Sequence, residues 1–127
     1  MNFAVLDAGI VEAIHDAVLN PGELSGRAGD KSLDGALARV ENRLAYGLIG
    51  DVFDLAAAYG VAIAQGHCFN DGNKRTAFRA IQIVLDLHGH AEPDEPVEQV
   101  GQRIIAVAQG LASEEELAAW LRAAAAG

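Results

Sequence analysis

Apolar residues recur along most of the chain at intervals of three and four, which is the spacing of one face of an α-helix. The segments that show this pattern, or that are apolar nearly all round, are 7–19, 32–48, 51–65, 73–88, 97–111 and 113–124. No stretch alternates apolar and polar residues with a period of two, and no internal repeat is visible. The pattern therefore predicts an all-α fold, a single compact domain of about six helices.

The third segment is apolar on almost every side and is expected to be the buried central helix. Its alanines and Gly60 allow neighbouring helices to approach closely, and Gly66 is suited to end it. The stripes of the other segments complete the predicted core: Ile10, Val11, Ile14 and Val18; Leu33, Leu37, Val40, Leu44 and Leu48; Ala77, Phe78, Ile81, Val84 and Leu85; Val97, Val100, Ile104, Val107 and Leu111; Leu117, Trp120, Leu121 and Ala124.

Helix starts are predicted from side chains that accept hydrogen bonds from first-turn N–H groups. Asp7 and Ser32 precede the first two helices, and Ser113 with Glu116 forms a capping box before the last. A proline-flanked acidic linker, 93–96, separates the fourth helix from the fifth. These signals agree with the boundaries that the apolar periodicity gives.

Composition narrows the class of protein. A chain of 127 residues is expected to form one domain, 1–127, and 51% hydrophobic residues suffice for a core. Nine Lys and Arg against 18 Asp and Glu give a net charge of −9, opposite to the basic surface of a nucleic-acid binder. We expect no nucleic-acid partner, and a small cluster of cations on this acidic chain fits a small anionic ligand better.

Cysteine usage and hydropathy indicate the cytoplasm. Cys68 is the single cysteine, so the chain forms no internal disulfide and asks for no oxidising compartment. No segment approaches the roughly 20 uninterrupted apolar residues needed to span a bilayer. The N-terminus has no basic region followed by a long apolar run. No membrane association is expected.

Chemistry concentrates at the junction between the third and fourth helices. A helix that begins near Asn73 leaves its first N–H groups without intrahelical partners and carries partial positive charge at that end. Gly72 lets a ligand approach the backbone closely, and Lys74 and Arg75 add full charges there. The junction is therefore expected to bind phosphate.

Two further side chains extend this interpretation from binding to reaction. The carboxylate of Asp71 would repel a bound phosphate unless it caps the helix, holds a cation such as Mg²⁺, or does both. His67 titrates near neutral pH and can remove a proton from an attacking hydroxyl, or it can be a core or capping histidine. Asn73 can likewise cap the helix or orient phosphate. The set indicates phosphoryl or nucleotidyl transfer.

The sequence His67-Cys68-Phe69-Asn70-Asp71-Gly72-Asn73-Lys74-Arg75 resembles the motif of the Fic/Doc family, His-x-Phe-x-(Asp/Glu)-(Gly/Ala)-Asn-(Gly/Lys)-Arg, at every fixed position. The resemblance extends to Thr76-Ala77, and Arg39-Val40 through Ala45-Tyr46 is similar to the second helix of Doc toxins. The length of the chain also fits a Doc toxin from end to end.

Within the family, three departures from the AMP-transferring Fic pattern point to the Doc type. Lys74 stands where Fic enzymes usually carry glycine, and Cys68 replaces the usual proline. Phe78 occupies the position of a second phosphate-gripping arginine, with Arg79 one residue too late. Arg79 either assists with phosphate or forms a surface salt bridge.

The resemblance implies a Doc-like toxin that is a protein kinase, binds ATP with its γ-phosphate facing His67, and modifies a threonine of translation elongation factor Tu. AMP transfer of the Fic type and a non-catalytic interaction domain remain the alternatives. Asp71 is the expected Mg²⁺ ligand. The expected catalytic residues are His67, Asp71, Lys74 and Arg75, and the expected ATP-binding residues are Gly72, Asn73, Lys74 and Arg75.

The resemblance also implies control by a separate Phd-like antitoxin, because the Ser/Thr-x-x-x-Glu-Gly/Asn string of self-inhibiting Fic proteins is absent. The long loop 20–31 is either a flap on which the target segment docks or a mobile connector. The candidates for the antitoxin groove are this loop, Arg39, Arg43 and Trp120, and the two arginines are candidates for the substrate groove as well. For the two arginines a solvated face is the alternative, and for Trp120 a core position.

Four more residues have plain structural interpretations. Phe69 is expected to anchor the junction from below, Asn70 to serve a turn, and Cys68 to fill apolar space rather than act as a nucleophile. His88 and His90 are expected at a helix end, because two histidines without a third ligand make a weak case for a metal site.

Overall fold

The structure, a computed structural model, describes residues 3–29, 31–66, 68–90 and 97–126. Its helices are α1 Ala8–Val18, α2 Leu33–Ala45, α3 Val52–Gly66, α4 Asn73–Leu87, α5 Val97–Ala108 and α6 Glu114–Ala126. The described residues include no β-strand, only one isolated antiparallel bridge between Arg27 and Phe69. The prediction of an all-α domain of six helices is confirmed.

Helix α3 is the centre of the domain and packs against α2, α4, α5 and α6. Almost all of its side chains are buried, as its uniformly apolar sequence predicted. At Gly60 the packing leaves no room for a side chain, since an added Cβ would lie 2.6 Å from Cδ1 of Ile81. The glycine therefore sets how closely α3 and α4 approach each other.

The helix caps form as predicted. Asp7 Oδ1 accepts the N–H of Ile10 at 2.8 Å, and Ser32 Oγ accepts the N–H of Gly35 at 2.9 Å. Ser113 and Glu116 exchange side-chain-to-backbone hydrogen bonds at the start of α6. Each cap is encoded within four residues, which explains why sequence alone located it.

Three predicted core residues are wrong: Ile10, in the first turn of α1, is 41% exposed, and two leucines lie beyond helix ends. Leu48 is 66% exposed and Leu111 is 78% exposed. Both lie just after a helix end where glycine adopts positive φ, at Gly47 and Gly110. Each leucine donates its backbone N–H to a carbonyl five residues earlier, a Schellman-type end, and the chain turns before the apolar stripe can continue. The α4 end, at Gly89, has the same pattern.

The N-terminal arm is held by buried contacts. The N–H of Leu6 donates to the hydroxyl of Tyr59 at 3.0 Å, and the N–H of Ala4 donates to Nε2 of His88 at 3.0 Å. Burial raises the pKa of Tyr59. Among the described residues, no helix has the length and apolarity required to cross a bilayer. The predicted linker 93–96 lies outside the described residues.

Candidate functional site

The junction between α3 and α4 is anchored by two buried side chains. Cys68 and Phe69 are almost completely buried, whereas Asn70 is exposed. Burial raises the pKa of the Cys68 thiol, which suits an apolar filler and not a nucleophile. Phe69 lies in the core, as expected for an anchor. His67, the predicted base, lies outside the described residues.

The long loop before α2 pairs with this junction. The N–H of Ala28 donates to the carbonyl of Cys68 at 2.8 Å, and the N–H of Asn70 donates to the carbonyl of Gly26 at 3.2 Å. Asn70 Nδ2 also donates to the carbonyl of Ser25 at 3.1 Å. Asn70 therefore does more than serve a turn. These bonds favour an ordered flap beside the site over a loose connector.

His15, on α1, was not identified from the sequence. Its ring is 1% exposed and stacks on Phe69, with centroids 3.9 Å apart and planes inclined by 7°. Its Nε2 lies 2.7 Å from the carbonyl oxygen of Asp71. A carbonyl oxygen only accepts, so Nε2 must carry the hydrogen. The apolar stripe of α1 placed this position in the core, and a polar residue at a core position is the signal that could have identified it.

The side chain of Asn73 forms two hydrogen bonds with the backbone of Phe69 across the junction. Its Oδ1 accepts the N–H of Phe69 at 3.1 Å, and its Nδ2 donates to the carbonyl of Phe69 at 2.9 Å. The side chain thus imitates a backbone pair across the turn. The expectation that Asn73 caps α4 is wrong, because its oxygen is used outside the helix.

Gly72 is the residue that precedes α4. It has φ of +80°, a left-handed conformation that suits glycine, and it supplies no side-chain cap. Its carbonyl accepts both the N–H and the hydroxyl of Thr76. The N–H groups of Asn73 to Arg75 have no acceptor among the described residues. The start of α4 is therefore open to an anion.

Asp71 is not the cap of α4, because Gly72 holds that position. Its Oδ2 instead accepts the N–H of Leu24 at 2.7 Å, which ties the junction to the long loop. Its Oδ1 has no hydrogen-bond partner in the described part of the chain, so one carboxylate oxygen remains for a ligand.

A cavity of about 410 Å³ opens at this place. One wall is the continuous stretch Asn70–Lys74, and the opposite wall comes from α5 through Ile105, Ala108 and Gln109. Its volume lies within the range of small-molecule sites, roughly 300–1,000 Å³. The structure thus brings four predicted residues, Asp71, Gly72, Asn73 and Lys74, to one cavity.

Arg75 is not brought to that cavity. Its Nε donates to the carbonyl of Val18 at 3.2 Å, and its Nη2 forms an ion pair with Glu23. This pair, together with the N–H of Asn20, lowers the pKa of Glu23. Arg79 donates to Gln82 at 3.2 Å and, with Arg75, lines a smaller apolar depression beside α1. Lys74 lines both the phosphate cavity and this depression, whereas Arg75 lines only the depression.

Other candidates have structural partners. Arg43 forms an ion pair with Glu114 at 2.6 Å, and Arg103 lies 4.3 Å from the centre of the Trp120 ring. Trp120 is only partly buried against the core. Nowhere in the described ranges do three His, Cys, Asp or Glu side chains cluster as metal ligands, including around His88 and His90.

The fold and site define an all-α domain in which the open start of α4 lies beside a paired loop. A family model described as Fic/DOC family matches residues 5–85. The chain is also 36% identical over 111 residues to a protein of Escherichia phage P1 named Protein kinase doc, covering 87% of this chain and 86% of that protein. The chain therefore belongs to the Fic/DOC family, as its motif predicted.

Proposed function

We propose that this protein is a Doc-type protein kinase that transfers the γ-phosphate of ATP to a threonine of translation elongation factor Tu. The observation that carries the proposal is the cavity walled by Asn70–Lys74 at the open start of α4. Similarity to a protein named as a kinase supports phosphoryl transfer as the reaction. Modification of this factor in the cytoplasm would arrest translation, which is the action of a toxin.

The start of α4 binds the phosphates in this proposal. Gly72 lets them approach the backbone, and the N–H groups of Asn73 and Lys74 donate to phosphate oxygens. The Lys74 ammonium group neutralises charge as it shifts toward the leaving group. Because these groups are held in place before the reaction, little reorganisation is needed.

Asp71 is the proposed Mg²⁺ ligand, through the Oδ1 that has no described partner. Mg²⁺ commonly takes one or two protein carboxylates and completes its shell with substrate phosphates and water, so one carboxylate is sufficient. When bound, the ion would neutralise charge on the phosphates.

His67 is the proposed general base. It follows Gly66 in the sequence and is the first residue of the motif. The imidazole accepts the proton of the threonine hydroxyl while the threonine oxygen bonds to phosphorus. The bond between phosphorus and the ADP oxygen breaks, and ADP leaves.

Arg75 contributes to phosphate binding only if it exchanges one anion for another. Its guanidinium group is held by Glu23 and by the Val18 carbonyl. We propose that a phosphate oxygen replaces the Glu23 carboxylate when ATP binds. Lys74 needs no such exchange, because it already lines the cavity.

A Phd-like antitoxin is the proposed regulator, with a disordered segment that folds against this domain. Of the residues considered for its groove, Arg39 is exposed and available, whereas Arg43 is paired with Glu114. Expression of the chain alone should stop growth, and co-expression of the reading frame adjacent to its gene should restore it. Normal growth with the chain alone would contradict the toxin proposal.

The reaction is tested with purified elongation factor Tu and ATP labelled at either the γ- or the α-phosphate. We expect label on a threonine from γ-labelled ATP only. Label from α-labelled ATP would replace the kinase with an AMP transferase. ATP binding without any covalent label would leave a non-catalytic domain.

Variants of the proposed machinery sharpen this test. His67→Ala and Lys74→Ala should each lower kcat on the order of 10²- to 10³-fold, because each removes one group that acts in the transition state. Thermal unfolding should hardly change. Arg103→Gln, on α5 and away from this cavity, is the matched control and should leave kcat unchanged. A wild-type rate in His67→Ala would remove the base assignment.

A further inference from the structure

A second cavity, of about 280 Å³, lies beside the C-terminal end of α3. It is formed between the start of α2 and the last turn of α3. Its lining includes Lys31, Gly35, Ala36, Arg39, Gln65 and Gly66. Gly66 immediately precedes the motif, so this second cavity adjoins the catalytic segment along the chain.

The second cavity carries two cations without a described counter-charge. No carboxylate oxygen of the described residues lies within ion-pair distance of Lys31 or Arg39. The carboxylates nearest to this region in the ion-pair network, Glu12 and Asp34, are both held by Arg27. On a chain with a net charge of −9, two exposed cations with no ion-pair partner among the described residues make a local positive site.

The helix itself supplies no compensation for Arg39. Side chains three and four positions away on α2 share its face, and these positions hold Gly35, Ala36, Asn42 and Arg43. None is acidic, and Arg43 is already paired with Glu114. The positive charge of Arg39 is therefore available to a molecule that enters the second cavity.

The two cations also act on the motif. Burial raises the pKa of Cys68, and the charges of Arg27, Arg39 and Lys31 oppose that rise. Lys31 follows the loop whose Gly26 and Ala28 pair with the motif. An acceptor segment that docks along the loop 20–31 on its way to the motif would pass Lys31, the last residue of that loop, and Arg39 lines the same cavity.

We infer that Lys31 and Arg39 form a recognition subsite for an acidic side chain of the acceptor protein, close to the hydroxyl that receives the phosphate. The inference rests on the proposed function and specifies its substrate class: a hydroxyl residue with a neighbouring Asp or Glu. Arg39 offers a planar pair of donors that matches a carboxylate, and Lys31 adds a mobile charge.

The first experiment measures KM for elongation factor Tu with Lys31→Gln and Arg39→Gln. Each variant should raise this KM about 10-fold or more, because a charge-assisted hydrogen bond is lost. KM for ATP and kcat should stay within about two-fold, since neither residue lines the phosphate cavity. Raising the salt concentration should increase the KM of wild type for elongation factor Tu more than that of either variant.

Arg103→Gln is the matched control, because it removes one exposed cation that lines a different cavity, between α5 and α6. This control variant should leave kcat and the KM values for elongation factor Tu and ATP unchanged. Equal KM values for wild type and both subsite variants would overturn the inference. Both positions are exposed, so the fold should persist, and Lys31→Gln alone decides the question if Arg39→Gln does not fold.

A second experiment needs no catalysis. Amide NMR spectra are recorded with millimolar Gly-Thr-Glu-Glu-Gly or Gly-Thr-Gln-Gln-Gly in the absence of ATP. The acidic peptide should shift amides around Ala36, Arg39 and Gly66, and the double variant Lys31→Gln/Arg39→Gln should abolish those shifts. If the two peptides shift the same amides equally, or if neither peptide shifts any amide, the inference is wrong. Absence of any γ-label in wild type would instead count against the kinase proposal, with the peptide result still judging the subsite.

Discussion

His15 supports the motif from α1 through two different interactions. Stacking on Phe69 fixes the anchor of the junction, and the Nε2–H bond to the Asp71 carbonyl fixes the residue that precedes Gly72. Asp16 Oδ1 lies 3.5 Å from the other ring nitrogen. Since reacting groups must be placed to within a fraction of an ångström, a residue that only positions the junction can still govern the rate.

We expect His15→Phe to keep the stacking but to leave the Asp71 carbonyl without its donor. The free energy of unfolding should fall by roughly 1–3 kcal/mol, the cost of an unsatisfied buried polar group. The rate of phosphoryl transfer should fall on the order of 10²-fold through misplacement of the junction. Chemical denaturation and steady-state kinetics measure the two effects.

His15→Gln is the control, because its amide can restore the donor. It should recover much of kcat while losing the aromatic stacking. If His15→Phe and His15→Gln lose kcat equally, the hydrogen bond to Asp71 is not the feature that matters.

At the scale of elements, α3 and α4 carry the site between them, and their approach depends on one missing side chain. A Cβ on Gly60 would lie 2.9 Å from Cγ1 of Ile81 as well as close to its Cδ1. Because Ile81 is buried, its Cγ1 can move aside only by a change of χ1 against its packed surroundings or by a shift of α4. Such a shift would also move Asn73 at the start of α4.

Gly60→Ala should therefore lower the free energy of unfolding by about 1–3 kcal/mol, the usual cost of overpacking, less the gain in helix propensity. Gly101→Ala on α5 is the matched control, because nothing lies within 4 Å of its added Cβ. It should stabilise by up to about 1 kcal/mol. Urea denaturation measures both, and equal stabilisation by the two substitutions would contradict the close packing of α3 on α4.

For the molecule as a whole, ion pairs hold the loop 20–31 against the helical body. Arg27 contacts Glu12 on α1 and Asp34 on α2, and Glu23 contacts Arg75 on α4. Ion pairs thus attach the loop to three helices, in addition to its hydrogen bonds with the motif. Its attachment should consequently depend on pH and salt.

The Glu23–Arg75 pair gives a pH dependence with a defined sign. The hydrogen bond from Arg75 lowers the pKa of Glu23 in the folded state below its ordinary value of 4.5. The pair therefore stabilises the fold above that ordinary value, and the stabilisation is lost as pH falls through the lower, folded-state pKa. The thermal unfolding temperature of wild type should fall more between pH 6 and pH 3 than that of Glu23→Gln. Parallel pH profiles for the two proteins would exclude the pair as a contributor.

The sequence by itself determined the helices and the chemistry that the junction carries. Apolar periodicity and the caps at Asp7, Ser32 and Ser113 are local, because each depends on residues within one or two turns. The motif from 67 to 75 likewise identified the family without any tertiary information. The periodicity wrongly placed Leu48 and Leu111 in the core. A glycine with positive φ ends the helix just before each leucine and turns the chain, although the apolar spacing continues in the sequence.

Only the tertiary structure decided which of the motif's polar groups face the phosphate cavity. Lys74 and Arg75 are adjacent cations in the sequence. Lys74 lines the cavity, whereas Arg75 is held by Glu23, 52 positions earlier. His15 and the pairing of Ala28 with Cys68 are also long-range contacts. Such contacts depend on how whole helices pack, and a residue's spacing along the chain carries no information about a partner that another helix supplies.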